Sequence, residues 1–168
     1  AEKDAKKAAA AAAAPQTEKP PGKKSDEEEE GELDATQYTA NRINKVLQRK
    51  ANGETPYPHK FHVDTQLPKF VEMFKDIREG EVRDDGSSDV CVAGRLMSKR
   101  ASGGKLYFYD LRGDGVKIQI MADAKTATGY DFEKINTSTR RGDIVGIRGY
   151  PGKTKRGELS IFPRHLEV

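Results

Sequence analysis

The sequence predicts a mainly β protein, a five-stranded barrel with a helix between its third and fourth strands, preceded by two α-helices and a disordered tail. Two observations lead to this prediction. From Val90 onward the apolar residues change from a helical spacing to a period of two. Before Val90, two segments repeat apolar residues at helical spacing, and residues 1–33 lack the composition of a packed core.

Residues 1–33 are predicted to be a disordered low-complexity tail. The alanine run Ala8–Ala14 is followed by "PQTEKPPGKK" and by the acidic block Glu27–Glu30. Such a composition cannot bury enough apolar surface to offset the entropy lost on ordering.

Residues 34–86 are predicted to form a helical N-terminal subdomain. Asp34 and Gln37 have the spacing of a capping box, and they introduce a helix from about Thr36 to Ala51. A second helix is indicated by one apolar stripe that ends before Gly80, formed by Leu67, Phe70, Val71, Phe74 and Ile77. This stripe must dock on another surface, which the sequence does not identify.

Residues 87–168 are predicted to contain the five strands. The strand segments are "VCVAGRLMSK", "KLYFYDLR", "VKIQIMAD", "DIVGIRGY" and "ELSIFPRHLEV", with a helical piece around Tyr130–Ile135 after the third. Asp114-Gly115 predicts a tight turn between strands two and three, and "GKTKRG" predicts one between strands four and five. This order is that of an OB-fold barrel. An SH3-like barrel is the alternative, and the helix after strand three argues against it.

The last third of the chain is basic. Residues 90–168 carry 15 Lys/Arg and 8 Asp/Glu, a surplus that favours a polyanionic partner, although a merely soluble basic surface remains an alternative. The OB-fold binds oligonucleotides on its strand two and three face, between the loops that join strands one to two and four to five. These loops contain the predicted phosphate-binding residues Lys99, Lys105, Lys153, Lys155 and Arg156, together with Arg100.

The faces of strands two and three follow from the turn between them. Pairing back from Asp114-Gly115 places Phe108 opposite Met121, so that Tyr107 and Tyr109 point inward and Phe108 points outward beside Gln119. An outward aromatic ring suits base stacking, and an amide suits hydrogen bonding to a base edge. Alternatively, the N-terminal helices cover Phe108.

Other kinds of site find little support in the sequence. Cys91 lies in an apolar run and is predicted to be a small core residue in a chain without disulfides. His59, His62 and Cys91 have no fourth ligand at a recognisable spacing, so no metal site is predicted. We expect no catalytic residue and no cofactor in this chain, and no stretch has the length of a membrane span.

Three stretches resemble the N-terminal region of eukaryotic cytosolic lysyl-tRNA synthetases, which are class II enzymes. They are "YPHKFHV", "VAGRLMSKRASGGKLYFYDLRGDGVKIQIMA" and "RRGDIVGIRGYPGKTKRGELSI". The resemblance spans about Asp34 to Val168. It implies an anticodon-binding OB-fold domain for tRNA(Lys) in a cytoplasmic parent enzyme that attaches lysine to tRNA with ATP and Mg. It also implies that the parent enzyme is a homodimer and that it can be part of a multi-synthetase complex. No association with a membrane is implied.

The resemblance also implies roles for individual residues. Phe108 resembles the residue that stacks on an anticodon base. Gln119 and Arg100 resemble readers of the central uracil, and Glu158 resembles the residue that contacts the third anticodon position. The class II catalytic motifs do not occur in this sequence, so we expect the chain to be inactive alone. Residues 1–34 are net acidic and alanine-rich where the family has a lysine-rich helix. A general single-strand-binding OB domain and a protein-interaction module are the alternatives.

Overall fold

The computed structural model describes residues 34–168, and the predicted tail at residues 1–33 lies outside the described residues. The elements follow in the order α1 (Ala35–Ala51), α2 (Leu67–Phe74), β1 (Val90–Ala101), β2 (Leu106–Gly113), β3 (Val116–Asp123), α3 (Phe132–Ser138), β4 (Ile144–Lys153) and β5 (Leu159–Glu167). The strands close into a barrel in the order β1-β2-β3-β5-β4. The predicted barrel, with a helix between its third and fourth strands, is confirmed.

The turn between β2 and β3 sets the register of the central hairpin. Asp114 and Gly115 have φ angles of 51° and 81°, as a two-residue type I′ turn requires. Gly113 therefore pairs with Val116, and each earlier residue of β2 pairs in step until Phe108 lies opposite Met121. The predicted register is confirmed.

The barrel core is formed by the side chains of each strand that point into the barrel. The side chain of Tyr109 is 1% exposed, and Leu111, Ile120 and Ile147 are fully buried. Tyr107 packs on this core from a half-buried position. Tyr109 donates a hydrogen bond of 2.5 Å to the buried Asn136 Oδ1, which ties α3 to the barrel.

The prediction that Cys91 is a core residue is wrong. Val90 and Val92 face the interior, so strand alternation turns Cys91 outward, where it is half-buried. Its backbone N–H donates to Asp64 Oδ1 over 2.9 Å, and its carbonyl accepts from the Asp64 N–H. Burial and the nearby Asp64 carboxylate raise the pKa of the thiol.

Helix α2 docks its apolar stripe on the barrel core. Leu67, Phe70 and Phe74 are at most 6% exposed, and they belong to the same buried cluster as the strands. A side chain at Gly113 would collide with Leu67, because its Cβ would lie 2.9 Å from the Leu67 Cδ1. The helix ends at Phe74, earlier than predicted, and Ile77 reaches the core from the turn that follows.

Residues 42–168 form one compact unit, and residues 34–41 belong to a separate unit. In the latter, the Asp34 Oδ1 accepts the N–H groups of Thr36 and Gln37 at 2.6 and 3.1 Å, which caps α1 and lowers the pKa of the carboxyl. The predicted helix at Thr36–Ala51 is confirmed. The predicted domain boundary after residue 86 stays a prediction.

Within residues 34–168, no helix is long and apolar enough to span a bilayer.

Replacing Leu67 by Ala should destabilise the barrel by about 2–5 kcal/mol, because it leaves a cavity in the shared core. Met73→Ala on the same helix is the control, since Met73 is 48% exposed. Urea unfolding of both variants measures the difference. Equal losses for the two variants would contradict the docking of α2 on the core.

Candidate nucleic-acid interface

An open cavity of about 560 Å³ lies on the outer face of the barrel. Its walls come from β1, β2, β3 and the β4–β5 hairpin. It is lined by Arg100, Ser102, Phe108, Gln119, Met121, Thr154, Lys155, Arg156 and Glu158. The cavity therefore brings together all four residues predicted to contact bases and two of the five predicted to bind phosphates.

Phe108 forms part of the cavity wall together with Arg100. The two residues lie directly opposite each other in the β1–β2 pairing, and the Arg100 Cζ is 6.0 Å from the centre of the Phe108 ring. This distance is within the range of a cation–π contact. The residues that line the cavity belong to the barrel and its loops, while α2 packs into the core. No residue of α1 or α2 lines the cavity, so the alternative in which the N-terminal helices cover Phe108 is not supported.

Gln119 lies on the outer face as predicted, but it is only 6% exposed. Its Nε2 donates to Glu158 Oε2 over 2.7 Å, and its Oε1 accepts from Ser160 Oγ at 3.1 Å. A carboxylate only accepts hydrogen bonds, so Glu158 fixes which end of the amide carries the donor. The amide is thus held in one orientation.

Ser160 is the residue beside the candidate site that sequence reasoning missed. Barrel closure pairs β3 with β5 in parallel, and Gln119 then lies beside Ser160. Ser160 is fully buried. The sequence predicted the order of the strands along the chain, but the contact between β3 and β5 depends on closure, so no local pattern identifies it.

The β4–β5 hairpin holds the remaining cavity residues. The Glu158 N–H donates to Thr154 Oγ1 over 3.2 Å, and the Thr154 N–H donates to the Glu158 carbonyl over 3.0 Å. Gly157 completes the turn with a φ of 82°, which favours glycine. Lys155 and Arg156 lie at the exposed tip, on the cavity wall.

The structure does not bring Lys99, Lys105 or Lys153 to the cavity. Lys99 pairs with the inward Tyr109, and its Nζ donates to the Thr139 carbonyl over 3.3 Å. The Nζ of Lys153 donates to the Lys75 carbonyl over 3.1 Å. Both side chains follow strand alternation away from the cavity.

The described part of the chain, residues 34–168, contains no group of three or more His, Cys, Asp or Glu residues placed to hold a metal ion. The residues of the cavity are instead an aromatic ring, an amide, one carboxylate and several cations. Such side chains can contact a ligand by stacking, hydrogen bonding and charge attraction.

The family model tRNA_anti-codon, described as an OB-fold nucleic acid binding domain, matches residues 90–168. The barrel belongs to this family. The chain is 46% identical over 141 residues to "Lysine--tRNA ligase cla4" of Cladosporium cladosporioides, covering 79% of this chain and 23% of that protein. It is 31% identical over 139 residues to "Probable lysine--tRNA ligase, cytoplasmic" of Encephalitozoon cuniculi, covering 83% of this chain and 26% of that protein.

A chloroplastic/mitochondrial lysine–tRNA ligase of Arabidopsis thaliana is 32% identical over 127 residues, which cover 76% of this chain and 21% of that protein. The chain thus spans about a quarter of the length of these curated relatives. The resemblance to lysyl-tRNA synthetases is confirmed, and with it the OB-fold of the barrel.

Replacing Ser160 by Ala should cost about 1–3 kcal/mol of stability, because it leaves the buried Gln119 Oε1 without a donor. The double variant Gln119→Met, Ser160→Ala should recover most of this loss, since both polar partners are then removed. Urea unfolding of the two variants measures the effect. A double variant less stable than Ser160→Ala would contradict a dependence on this hydrogen bond.

Proposed function

We propose that this chain is the anticodon-binding module of a lysine–tRNA ligase, and that its cavity receives the uridine-rich lysine anticodon. The observation that carries this proposal is the convergence of Phe108, Arg100, Gln119 and Glu158 on one open cavity. The family match of the barrel and the similarity to lysine–tRNA ligases support the same class of ligand.

Base stacking on Phe108 is the first part of the proposed mechanism. The ring lies on the outer face of β2 and lines the cavity, so an unstacked base can lie against it. A base on an aromatic platform gains about 1–3 kcal/mol whatever its identity. Phe108 therefore contributes affinity, and selectivity must come from its neighbours.

Selectivity for uracil is the second part of the proposed mechanism, and it follows because Arg100 and Gln119 both offer hydrogen-bond donors to the base. Arg100 carries only donors, and the Nε2 of Gln119 has a second hydrogen beyond the one given to Glu158. A pyrimidine that presents a carbonyl acceptor suits these donors, whereas cytosine presents an amino donor at the same position. The central uracil is the base that we assign to this pair.

Glu158 and the hairpin cations complete the proposed site. The Glu158 carboxylate keeps one oxygen beyond the bond to Gln119 and can accept a hydrogen from the third anticodon base. Lys155 and Arg156 lie beside it at the hairpin tip, where they would hold phosphates. Lys99, Lys105 and Lys153, which lie outside the cavity, are assigned to more distant phosphates.

The whole protein is proposed to attach lysine to tRNA with ATP and Mg in the cytoplasm, as a homodimer that can join a multi-synthetase complex. Similarity to lysine–tRNA ligases, one of which is described as cytoplasmic, supports this proposal. This chain alone is proposed to bind tRNA(Lys) without aminoacylating it.

Changing only the central uracil of a lysine anticodon stem-loop to cytosine should weaken binding by about 1 kcal/mol or more, because a donor would then face Arg100 and Gln119. A fluorescence titration of the two stem-loops measures the difference. Gln119→Leu should reduce the discrimination between them. Equal affinities for the two stem-loops would contradict base reading, and equal affinity for poly-dT would favour a general single-strand-binding domain.

Replacing Phe108 by Leu should weaken binding of the stem-loop by about 1–3 kcal/mol, because the stacking platform is lost. Phe108→Tyr is the matched control, since it keeps the ring, and it should bind nearly as well as the original chain. Leu and Tyr variants with the same affinity would rule out stacking at this position.

A further inference from the structure

A row of three cations crosses β1, β2 and β3 on the outside of the barrel. Arg95 lies directly opposite Arg112 in the β1–β2 pairing, and Arg112 lies directly opposite Lys117 in the β2–β3 pairing. All three residues are exposed. We call Arg95, Arg112 and Lys117 the cationic row.

The cationic row lies on the same face of the sheet as the cavity. Phe108 and Arg112 are four residues apart on β2, and Gln119 and Lys117 are two residues apart on β3, so each pair points the same way. Four residues of strand span about 13 Å. The row is therefore within reach of a strand of RNA whose bases occupy the cavity.

The charges of the cationic row are mostly uncompensated. Arg95 donates to the Gly142 carbonyl over 2.7 Å, which leaves its charge in place. Lys117 Nζ lies 3.8 Å from Asp110 Oδ1. Among residues 34–168, Arg112 has no carboxylate within ion-pair distance. In the described part of the chain, one carboxylate thus lies within ion-pair distance of any of the three cations.

This arrangement works against the stability of the sheet. Residues directly opposite on antiparallel strands have Cβ atoms about 5 Å apart, and like charges in such pairs are destabilising. Two successive pairs of this kind occur in the row. An anionic ligand along the row would remove the repulsion.

We propose that the cationic row binds RNA phosphates, and that it extends the RNA path from the cavity across the β1-β2-β3 face. This inference rests on the proposed function, because bases held in the cavity would fix the position of the strand whose following phosphates reach the row. An OB-fold domain contacts about 4–16 nucleotides, so a path longer than an anticodon triplet is within the range of the fold.

The test compares a row variant with a control of equal charge. Arg95, Arg112 and Lys117 are all replaced by Gln in the row variant, whereas Lys60, Lys69 and Arg148, which are exposed elsewhere, are replaced by Gln in the control. Binding of labelled uridine 12-mers and 3-mers is titrated at several NaCl concentrations. Thermal unfolding checks that the row variant keeps or gains stability.

For the 12-mer, the slope of the logarithm of the association constant against the logarithm of the NaCl concentration should become shallower by about 2 in the row variant. This value corresponds to three lost phosphate contacts at about 0.7 each. The slope should change much less in the control. The slope for the 3-mer should change less than the slope for the 12-mer, because the 3-mer has fewer phosphates beyond the cavity. Equal slopes for the row variant and the control with the 12-mer would overturn the proposal.

Asp110→Asn provides a test of opposite sign. It removes the carboxylate that lies within ion-pair distance of Lys117, so the 12-mer should bind more tightly while the 3-mer changes less. Weaker binding of the 12-mer by this variant would contradict a phosphate path along the row.

Phe108→Leu separates this inference from the proposed function. Weaker 12-mer binding by Phe108→Leu, with identical slopes for the row variant and the control, would overturn the cationic row alone. Unchanged binding by Phe108→Leu, or no binding by the original chain, would overturn the proposed function and the inference with it. A row that instead recognises an acidic protein would show unchanged RNA slopes.

Discussion

The register of the β2–β3 hairpin is the constraint on which the candidate interface depends. The Asp114-Gly115 turn pairs Gly113 with Val116, and a shift of β2 by one residue would turn every side chain of that strand to the opposite face. Tyr109 would then leave the core, and Phe108 would enter it. The turn thus decides both which residues stabilise the barrel and which line the cavity.

Helix α2 packs into the interior of the barrel and leaves the outer face of β2 and β3 uncovered at the cavity. Helix α2 supplies Leu67, Phe70 and Phe74 to the interior, so the core is completed without using the outer face of β2 and β3. That face stays open at the cavity, where Arg100 and Phe108 are held in register by strand pairing. Positions on strands are more rigid than positions on loops, which suits recognition of a base edge.

The helices, the strands and the two faces of the β2–β3 hairpin could be predicted from the sequence, because strand alternation and turn chemistry are local properties. Sequence reasoning placed Phe108 and Gln119 on the outer face, and the structure agrees. It failed where the decisive contact is long-range. The burial of Gln119 against Ser160 depends on barrel closure, and Cys91 was misplaced because an apolar run does not reveal which of its members face inward.

The parallel seam between β3 and β5 consists of two residue pairs, Gln119 with Ser160 and Ile120 with Ile161. Gln119 therefore belongs to the closure of the barrel as well as to the proposed reading of a base. A redesign of the proposed base preference at this position would also alter the contacts that join β3 to β5, including the hydrogen bond to the buried Ser160. Arg100 lies outside the seam, so a change of the proposed preference there leaves the closure of the barrel intact.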